Sequence, residues 1–307
     1  MPAFSRFLRY FTVVGRLGSI RRAAEELNIS ASAIDRQILA AEEELGVALF
    51  ERLPTGLRLT SAGEMMMAQG LQWQKGLTDL RGNIEDLRGL KRGHVDIAVI
   101  DALARGAIPA MVRQMREDYP GITIGLHVRD NIHIADAIRS GTVDLGLLLD
   151  PRFSRDLTVR AHAEVALGFV TRPGHPLACA AGRRFAAAQG ETMVMPAPPL
   201  ALTAQVQALE GITGLHLKPA VTCDNIEMMK ALVLEDAGVA LMTSLDVTTE
   251  AARGELAFTR ITDPLARSLT LALCVASPRQ LSSAARLVLD RMEHVVSALG
   301  WDTKPQS

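Results

Sequence analysis

Aromatic residues are scarce in this chain: Phe, Tyr and Trp make up 4% of its 307 residues, so Leu, Ile, Val, Met and Ala have to fill its cores. Cysteine is rarer still. Cys179, Cys223 and Cys274 form an odd set, 44 and 51 residues apart and without a CxxC pair, which excludes a disulfide framework and a sequence-local zinc knuckle and fits a reducing compartment. No run of about 18 uncharged apolar residues occurs, and the opening MPAFSRFLRYFTVVGR is interrupted by Ser5, Arg6 and Arg9. Neither a signal peptide nor a membrane span is therefore expected, and a soluble cytoplasmic protein is. An excess of charge is missing too: 33 basic against 34 acidic side chains leave −1, so any binding of nucleic acid has to come from local placement of cations. What remains is ordinary globular material, 48% hydrophobic and 22% charged, of a length that suggests about two domains.

The first sixty residues are patterned for helices. Phe4, Phe7, Leu8, Phe11 and Val14 form one amphipathic stripe. Gly15 and Gly18 break it, and Ser19 is placed to cap a second, two-turn helix with Ile20, Ala23, Ala24 and Leu27 on its apolar face, ending at Asn28. Ser30 is placed to cap a third, in which Ile34, Ile38, Ala41 and Leu45 recur until Gly46 stops it. Two short helices across a tight turn, with small Ala24 where they approach, predict a helix-turn-helix. From Leu49 to Thr60, two β-prone runs flank Pro54-Thr55-Gly56, which predicts a hairpin with Arg52 and Arg58 beside its turn. Together these make a winged helix-turn-helix, whose hairpin lies along a phosphate backbone. This segment holds eight arginines and no lysine against seven acids, of which Glu42, Glu43 and Glu44 sit at the far end of the third helix. The alternative is a merely solvated surface, which usually mixes in lysine.

From Gly18 to Arg52, GSIRRAAEELNISASAIDRQILAAEEELGVALFER closely resembles the LysR-type transcriptional regulators: small residues in the second helix, a Ser-initiated recognition helix running through Arg-Gln-Ile, then Glu-Leu-Gly and Leu-Phe-Glu-Arg. The resemblance implies double-stranded DNA as partner and places DNA contacts on Ser30, Ala31, Ser32, Asp35, Arg36, Arg52 and Arg58. Ala31-Ser32 stand where the family usually has Gln-Pro, and Asp35 where it usually has Ser or Thr. Arg36 can fork onto guanine or a phosphate, while Asp35 can accept from a cytosine amino group, orient Arg36, or pair with Arg36 or Arg22.

Ser61 and Glu64 have capping-box spacing, and no proline follows until Pro109, which predicts a long helix over 61–90. Trp73, Leu77, Leu80, Ile84 and Leu87 repeat at 4, 3, 4 and 3, a seam suited to pairing with the same seam on a second chain. The alternative is packing on its own domain. Dimerisation would hold two winged helices at the spacing of a quasi-palindromic operator. Met65, Met66 and Met67 read as adaptable packing at the base of this helix.

After a glycine-containing break at 89–93 the texture becomes α/β. Strand 95–100, helix 108–116, strand 122–128, helix 132–140 and strand 143–149 make βαβαβ. A second cycle follows: strand 165–171, helix 201–210, strand 216–221, helix 225–235, strand 239–242 and a helix after Ser244, then strand 269–276 and a final helix 281–299. The layout resembles the two-lobed, periplasmic-binding-protein-like (type 2) effector domain of LysR-type regulators, with lobe I at about 94–162 and 266–307, lobe II at about 163–265, and crossings near 161–165 and 262–267. That resemblance puts a small-molecule effector in the cleft, at strand ends, on Asp101, Ala102, Leu103, Asn131, Pro196, Asp224, Asn225 and Thr243. Many relatives have a hydroxyl residue, suited to an effector carboxylate, where this chain has Asp101-Ala102-Leu103-Ala104. Asp101, Asp130 and Asp224 suit either an amine or the capping of their own helices. A tetramer and contact with RNA polymerase are further implications of the family.

The rival readings are a cytoplasmic α/β enzyme, or a small-molecule-binding protein without sequence-specific DNA binding. No GxSxG elbow, GxGxxG, Walker A loop or HExxH is present, and Cys223 has no histidine partner identifiable from sequence. His127 and His133 are six apart, a spacing that does not share a helical face. No catalytic residue, metal site or cofactor is expected.

Overall fold

The computed structural model describes residues 6–86, 91–151, 156–264, 268–277 and 281–299. These fall into two units that divide near Leu80. The first contains α1 (Arg6–Leu17), α2 (Ile20–Leu27), α3 (Ala31–Leu45), β1 (Phe50–Leu53), β2 (Gly56–Leu59) and the start of α4 (Ser61–Asp86). Phe11 and Val14 turn the α1 stripe inward onto Ala23, Ala24, Ile34, Ile38, Leu49 and Phe50, Leu8 is buried beside Gly70 of α4, and Phe4 lies outside the described residues. Ser19 Oγ accepts the Arg22 amide at 3.4 Å and starts α2. Asn28 ends it in the left-handed region at φ 56°, which lets the Ile29 amide reach back to Ala24 O at 3.1 Å.

Four details differ from the sequence pattern. Ser30 occupies the cap position of α3 but caps nothing, and its Oγ lies 3.3 Å from Ser32 Oγ. Leu45 is exposed, because α3 outruns the small core before Gly46 stops it. The hairpin closes over Pro54-Thr55 alone, since Gly56 already pairs with Leu53. The long helix is capped by Thr60 instead of Ser61: Thr60 Oγ1 accepts the Gly63 amide at 3.0 Å and donates to Ala48 O at 2.7 Å.

Gly56 has φ 133°, and a Cβ there would stand 2.6 Å from Gly18 O, which also accepts the Leu57 amide at 2.8 Å. The hairpin is thus bonded to the α1–α2 turn. Glu42 adds a second tie, its carboxylate accepting the Leu49 and Phe50 amides at 2.7 and 3.1 Å. Gly63 and Gly70 let α4 approach Leu49 O and Leu8 closely.

The second unit holds two five-stranded sheets. In lobe I the order is β4-β3-β5-β12-β6, built from β3 (Gly93–Val99), β4 (Ile122–Val128), β5 (Leu145–Leu149), β6 (Leu157–Val165) and β12 (Leu269–Ala276). Strands β3, β4 and β5 are parallel, and β12 runs antiparallel to β5 and β6. Helices α5 (Ala107–Asp118), α6 (Asn131–Arg139) and α10 (Ser283–Ala298) cover it. In lobe II the order is β11-β7-β10-β8-β9, from β7 (Leu167–Thr171), β8 (Met193–Pro196), β9 (Pro219–Cys223), β10 (Val239–Thr243) and β11 (Ala257–Arg260). Here β8, β9 and β10 are parallel and β7 is antiparallel to β10 and β11. Helices α7 (Leu202–Thr213), α8 (Ile226–Leu234) and α9 (Thr248–Ala252) complete the lobe.

Strands β6, β8 and β11 have no counterpart in the sequence reading, which also set β9 a few residues early. The first crossing falls at Ala166, between β6 and β7, and β6 belongs wholly to lobe I. The chain changes sheets there because β6 pairs along its whole length with β12. Among the described residues no helix is long and apolar enough to cross a membrane.

Candidate functional site

Two surfaces carry functional chemistry, one in each unit. On the first, Ala31, Ser32 and Arg36 are exposed along the N-terminal half of α3. The arginines divide evenly. Arg16, Arg21, Arg52 and Arg58 pair with Glu26, Glu25, Asp35 and Glu51. Arg6, Arg9, Arg22 and Arg36 have no acidic partner among the described residues, so their donors are available to an external anion. Asp35 pairs with neither Arg36 nor Arg22. It receives Arg52 Nη2 at 2.8 Å, joining α3 to the hairpin and leaving the Arg36 guanidinium free.

On α4, Met67, Gly70 and Gln74 face α1, with Gln74 Nε2 3.4 Å from Thr12 Oγ1. At about 100° per residue the 73/77/80/84 stripe lies roughly 80° around the helix from that face. Trp73, Leu80 and Ile84 are accordingly exposed, Leu77 is half-buried, and Leu87 lies outside the described residues.

In the second unit a cavity of about 220 Å³ opens between the lobes. All six parallel strands deliver residues to it just beyond their carboxyl ends: Asp101 and Ala102 after β3, Arg129 to Asn131 after β4, and Leu149 at the end of β5. Lobe II adds Pro199 to Leu202 beyond β8, Asp224 and Asn225 after β9, and Thr243 and Asp246 at β10. Strand ends are open because the crossover helices start there, which is why ligands of open α/β sheets gather at this edge.

Six of the eight sequence-predicted ligand positions line this cavity together: Asp101, Ala102, Asn131, Asp224, Asn225 and Thr243. Leu103 is buried in the lobe I core instead, and Pro196 is buried in the β8–β9 pairing, with Pro199–Leu202 taking its place. Asn131 and Asn225 are engaged structurally. Asn131 clasps the end of β5, donating to Leu149 O at 2.6 Å and accepting the Leu149 amide at 3.0 Å, and Asn225 Oδ1 caps α8 through the Met228 amide at 2.9 Å. Asp130 is also a cap, accepting the His133 amide at 3.0 Å and the ring Nδ1 at 2.8 Å. Asp101 and Asp224 cap no helix: the cap positions beside them are Ile100 and Asn225.

Asp246 was not apparent in the sequence as a site residue. It is more than nine-tenths buried, and its Oδ2 accepts both the Thr243 amide and the Thr243 hydroxyl at 2.7 Å. Burial pushes its carboxyl up to about 6, the Thr243 bonds and Lys230 pull the other way, and the Asp101 charge adds to the rise. An acid raised in the folded state binds more protons folded than unfolded, so its contribution favours folding at low pH and is lost as pH rises from about 4 through 6. That displacement corresponds to about 3 kcal/mol. Urea unfolding should show Asp246→Asn gaining about 2 kcal/mol on the wild type between pH 4.5 and pH 7.5, since part of the loss has already occurred at pH 4.5. Parallel pH profiles for the two proteins would show that Asp246 ionises without cost.

Charged ties also join the lobes. Arg105, after β3, reaches Glu227 of α8 at 2.8 Å and Glu250 of α9 at 3.6 Å. Behind it, buried Lys230 holds Glu227 at 2.7 Å and Glu250 at 2.8 Å. Gln205 of α7 donates to Asp150, beyond β5, at 2.7 Å. Glu227 and Lys230 share α8 three residues apart, but no local pattern marks the other ties, because their partners sit on different elements. Among the described residues, no group of three or more His, Cys, Asp or Glu side chains is arranged to hold a metal ion.

Comparison with known proteins agrees with this division. Residues 5–64 match the family of bacterial regulatory helix-turn-helix proteins of the lysR type, and residues 88–297 match the LysR substrate binding domain. The HTH-type transcriptional activator CmpR of Synechocystis sp. is 25% identical over 247 residues, covering 80% of this chain and 81% of its own. A full-length OxyR variant from Pseudomonas aeruginosa has the same fold, with a TM-score of 0.71 at 18% identity, over 97% of this chain and 98% of that one. Full-length CbnR, solved in complex with its target DNA, superposes with a TM-score of 0.66 at 19% identity, over 95% and 98% of the two chains.

Proposed function

Because the chain belongs to the LysR family of transcriptional regulators, we propose that it reads a quasi-palindromic operator as a dimer, with α3 in the major groove and the β1–β2 hairpin on the adjoining backbone. The observation that carries this reading is the free Arg36 guanidinium on the exposed half of α3, next to a hairpin bonded to the same helix through Arg52 and Asp35. The seam of exposed Trp73, Leu80 and Ile84 with half-buried Leu77 supplies the dimer contact, and pairing of dimers gives a tetramer. A small molecule held in the inter-lobe cavity acts by binding two arrangements of the lobes unequally, and that difference is passed to the DNA-bound units and to RNA polymerase. The protein works in the cytoplasm.

The test is a salt-titrated binding assay with the full chain on fragments of its own upstream region. Arg36→Ala should weaken specific binding by about 10- to 100-fold, equivalent to 1–3 kcal/mol, and relax the base preference. Arg52→Ala frees the hairpin and should weaken binding to all fragments alike, with a shallower salt slope. Binding that ignores both substitutions would overturn the proposal.

A further inference from the structure

We propose that the ligand of the inter-lobe cavity is a small cationic amine, held by Asp101, Asp224 and Asp246; the inference rests on the regulator reading above and specifies its effector. Of the four carboxylates that line the cavity, Asp130 is spent on the fold with both oxygens, as cap of α6 and partner of His133, and Asp246 with one. The others have capacity left. Asp101 and Asp224 have no side-chain hydrogen bond or ion pair among the described residues, and both stand at the cavity wall.

Asp246 is the independent indication of a ligand. Its side chain is more than nine-tenths buried at the same wall, both Thr243 donors go to Oδ2, and no donor among the described residues reaches Oδ1. Oδ1 is thus left open to a donor in the cavity, and a carboxylate whose residue is this desolvated is stabilised when something positive arrives to meet it. The nearby cations are already committed. Lys230 is bonded to Glu227 and Glu250, and Arg105 to the same two acids, so neither donates a hydrogen bond to Asp246 and Lys230 offsets its charge only from a distance.

Among the described residues Arg129 is the one basic side chain at the wall, against three carboxylates with acceptor capacity left. Helix starts do not reverse the balance. The α6 and α8 starts are capped by Asp130 and Asn225, and the uncapped start of α7 supplies about half a positive charge. An anionic ligand would face Asp246 and Asp101 at close range in a confined site, whereas an ammonium group brings up to three donors to oxygens that lack them. The volume of about 220 Å³, below the roughly 300–1,000 Å³ of drug-sized pockets, suits a molecule of a few carbons. Arg129 leaves room for an amine that also bears a carboxylate.

The experiment uses the purified full chain and a length-matched series: 1,4-diaminobutane, 4-aminobutanoate, 1,4-butanediol and succinate, each titrated by calorimetry and by the shift in Tm. Operator binding is measured on the same preparation. The expected result is saturable stabilisation by at least one of the two amines and none by the diol or succinate. Asp246→Asn and Asp101→Asn should each weaken the amine at least tenfold while keeping operator binding and a cooperative melt. Stabilisation by succinate, by neither amine, or by an amine whose affinity is unmoved in both variants overturns the cationic ligand. Operator binding in the same preparation then leaves the regulator reading standing, and its absence overturns that reading as well.

Discussion

Replacing Lys230 with alanine should destabilise the two-lobed unit by about 3–5 kcal/mol, the range for removing one partner of a buried ion pair. Lys230 and Glu250 are both more than nine-tenths buried and meet at 2.8 Å. Burial by itself pulls the lysine down, but hydrogen bonds and charge from Glu227 and Glu250 outweigh it and hold the ammonium above its ordinary value. Burial likewise pushes Glu250 up, and Lys230 first, with backbone bonding and Arg105, brings it below the usual glutamate range. Removing the ammonium strands a carboxylate whose Oε2 already lacks a hydrogen-bond partner.

The sign with pH follows from Glu250. A carboxyl lowered on folding contributes stability above its unfolded value and loses it as pH falls, so the penalty of Lys230→Ala should shrink toward pH 4. Urea unfolding at pH 7.5 and pH 4 measures both effects. The double replacement Lys230→Met with Glu250→Leu should recover most of the loss, since it leaves no buried charge unpaired. A loss below about 1 kcal/mol at pH 7.5 for Lys230→Ala would mean that water reaches the pair.

Phe11→Ala should unfold the N-terminal unit at a temperature where the lobes stay folded. Phe11 is fully buried, with ring centroids 5.5 Å from Phe7 and 5.1 Å from Phe50, so it joins α1 to the base of the hairpin. Truncating such a ring costs about 3–5 kcal/mol, and a small unit holds a total stability of only about 5–15 kcal/mol. The core around it consists of a few side chains, chiefly Val14, Ile34, Ile38 and Leu49, which cannot collapse into the space without moving the hairpin from the α1–α2 turn. Calorimetry should show the early transition lost or shifted down by more than 10 °C, the later one unchanged, and operator binding gone. Phe11→Leu, which keeps most of the volume, should cost far less. A single unshifted melt for Phe11→Ala would show that this contact does not hold the unit together.

Much of the architecture was legible in short-range pattern. The α1 stripe, the Ser19 cap, the left-handed Asn28 and the stop at Gly46 are local signals, and local signals act before tertiary contacts form. Strand β6 was legible too, and was passed over: Leu157, Val159, Ala161, Ala163 and Val165 alternate with Thr158, Arg160, His162 and Glu164. Strand β8 is different. Four residues ending in proline carry too little periodicity to separate a strand from a loop, and it forms because β9 and β10 flank it.

The cavity positions divide the same way. Strand ends can be located from sequence, the family resemblance places the effector positions there, and Asp101, Asp224 and Thr243 line the cavity. Asp246 lies beyond the end of β10, in a stretch with no motif, and reaches the cavity only because the turn after β10 folds it back under Thr243.

By itself, then, the amino-acid sequence determined the element types, most of their order, the winged helix and the edge of the sheets at which the cavity opens. Periodicity and capping record which face of an element is buried and where it stops. The tertiary structure alone decided the pairings: Asp35 with Arg52, Lys230 with Glu250, Arg105 across the lobes, and the carboxylates left without a partner at the cavity. A charge can meet any opposite charge that the packing brings within about 4 Å, so its partner is a property of three-dimensional distance that sequence spacing does not encode.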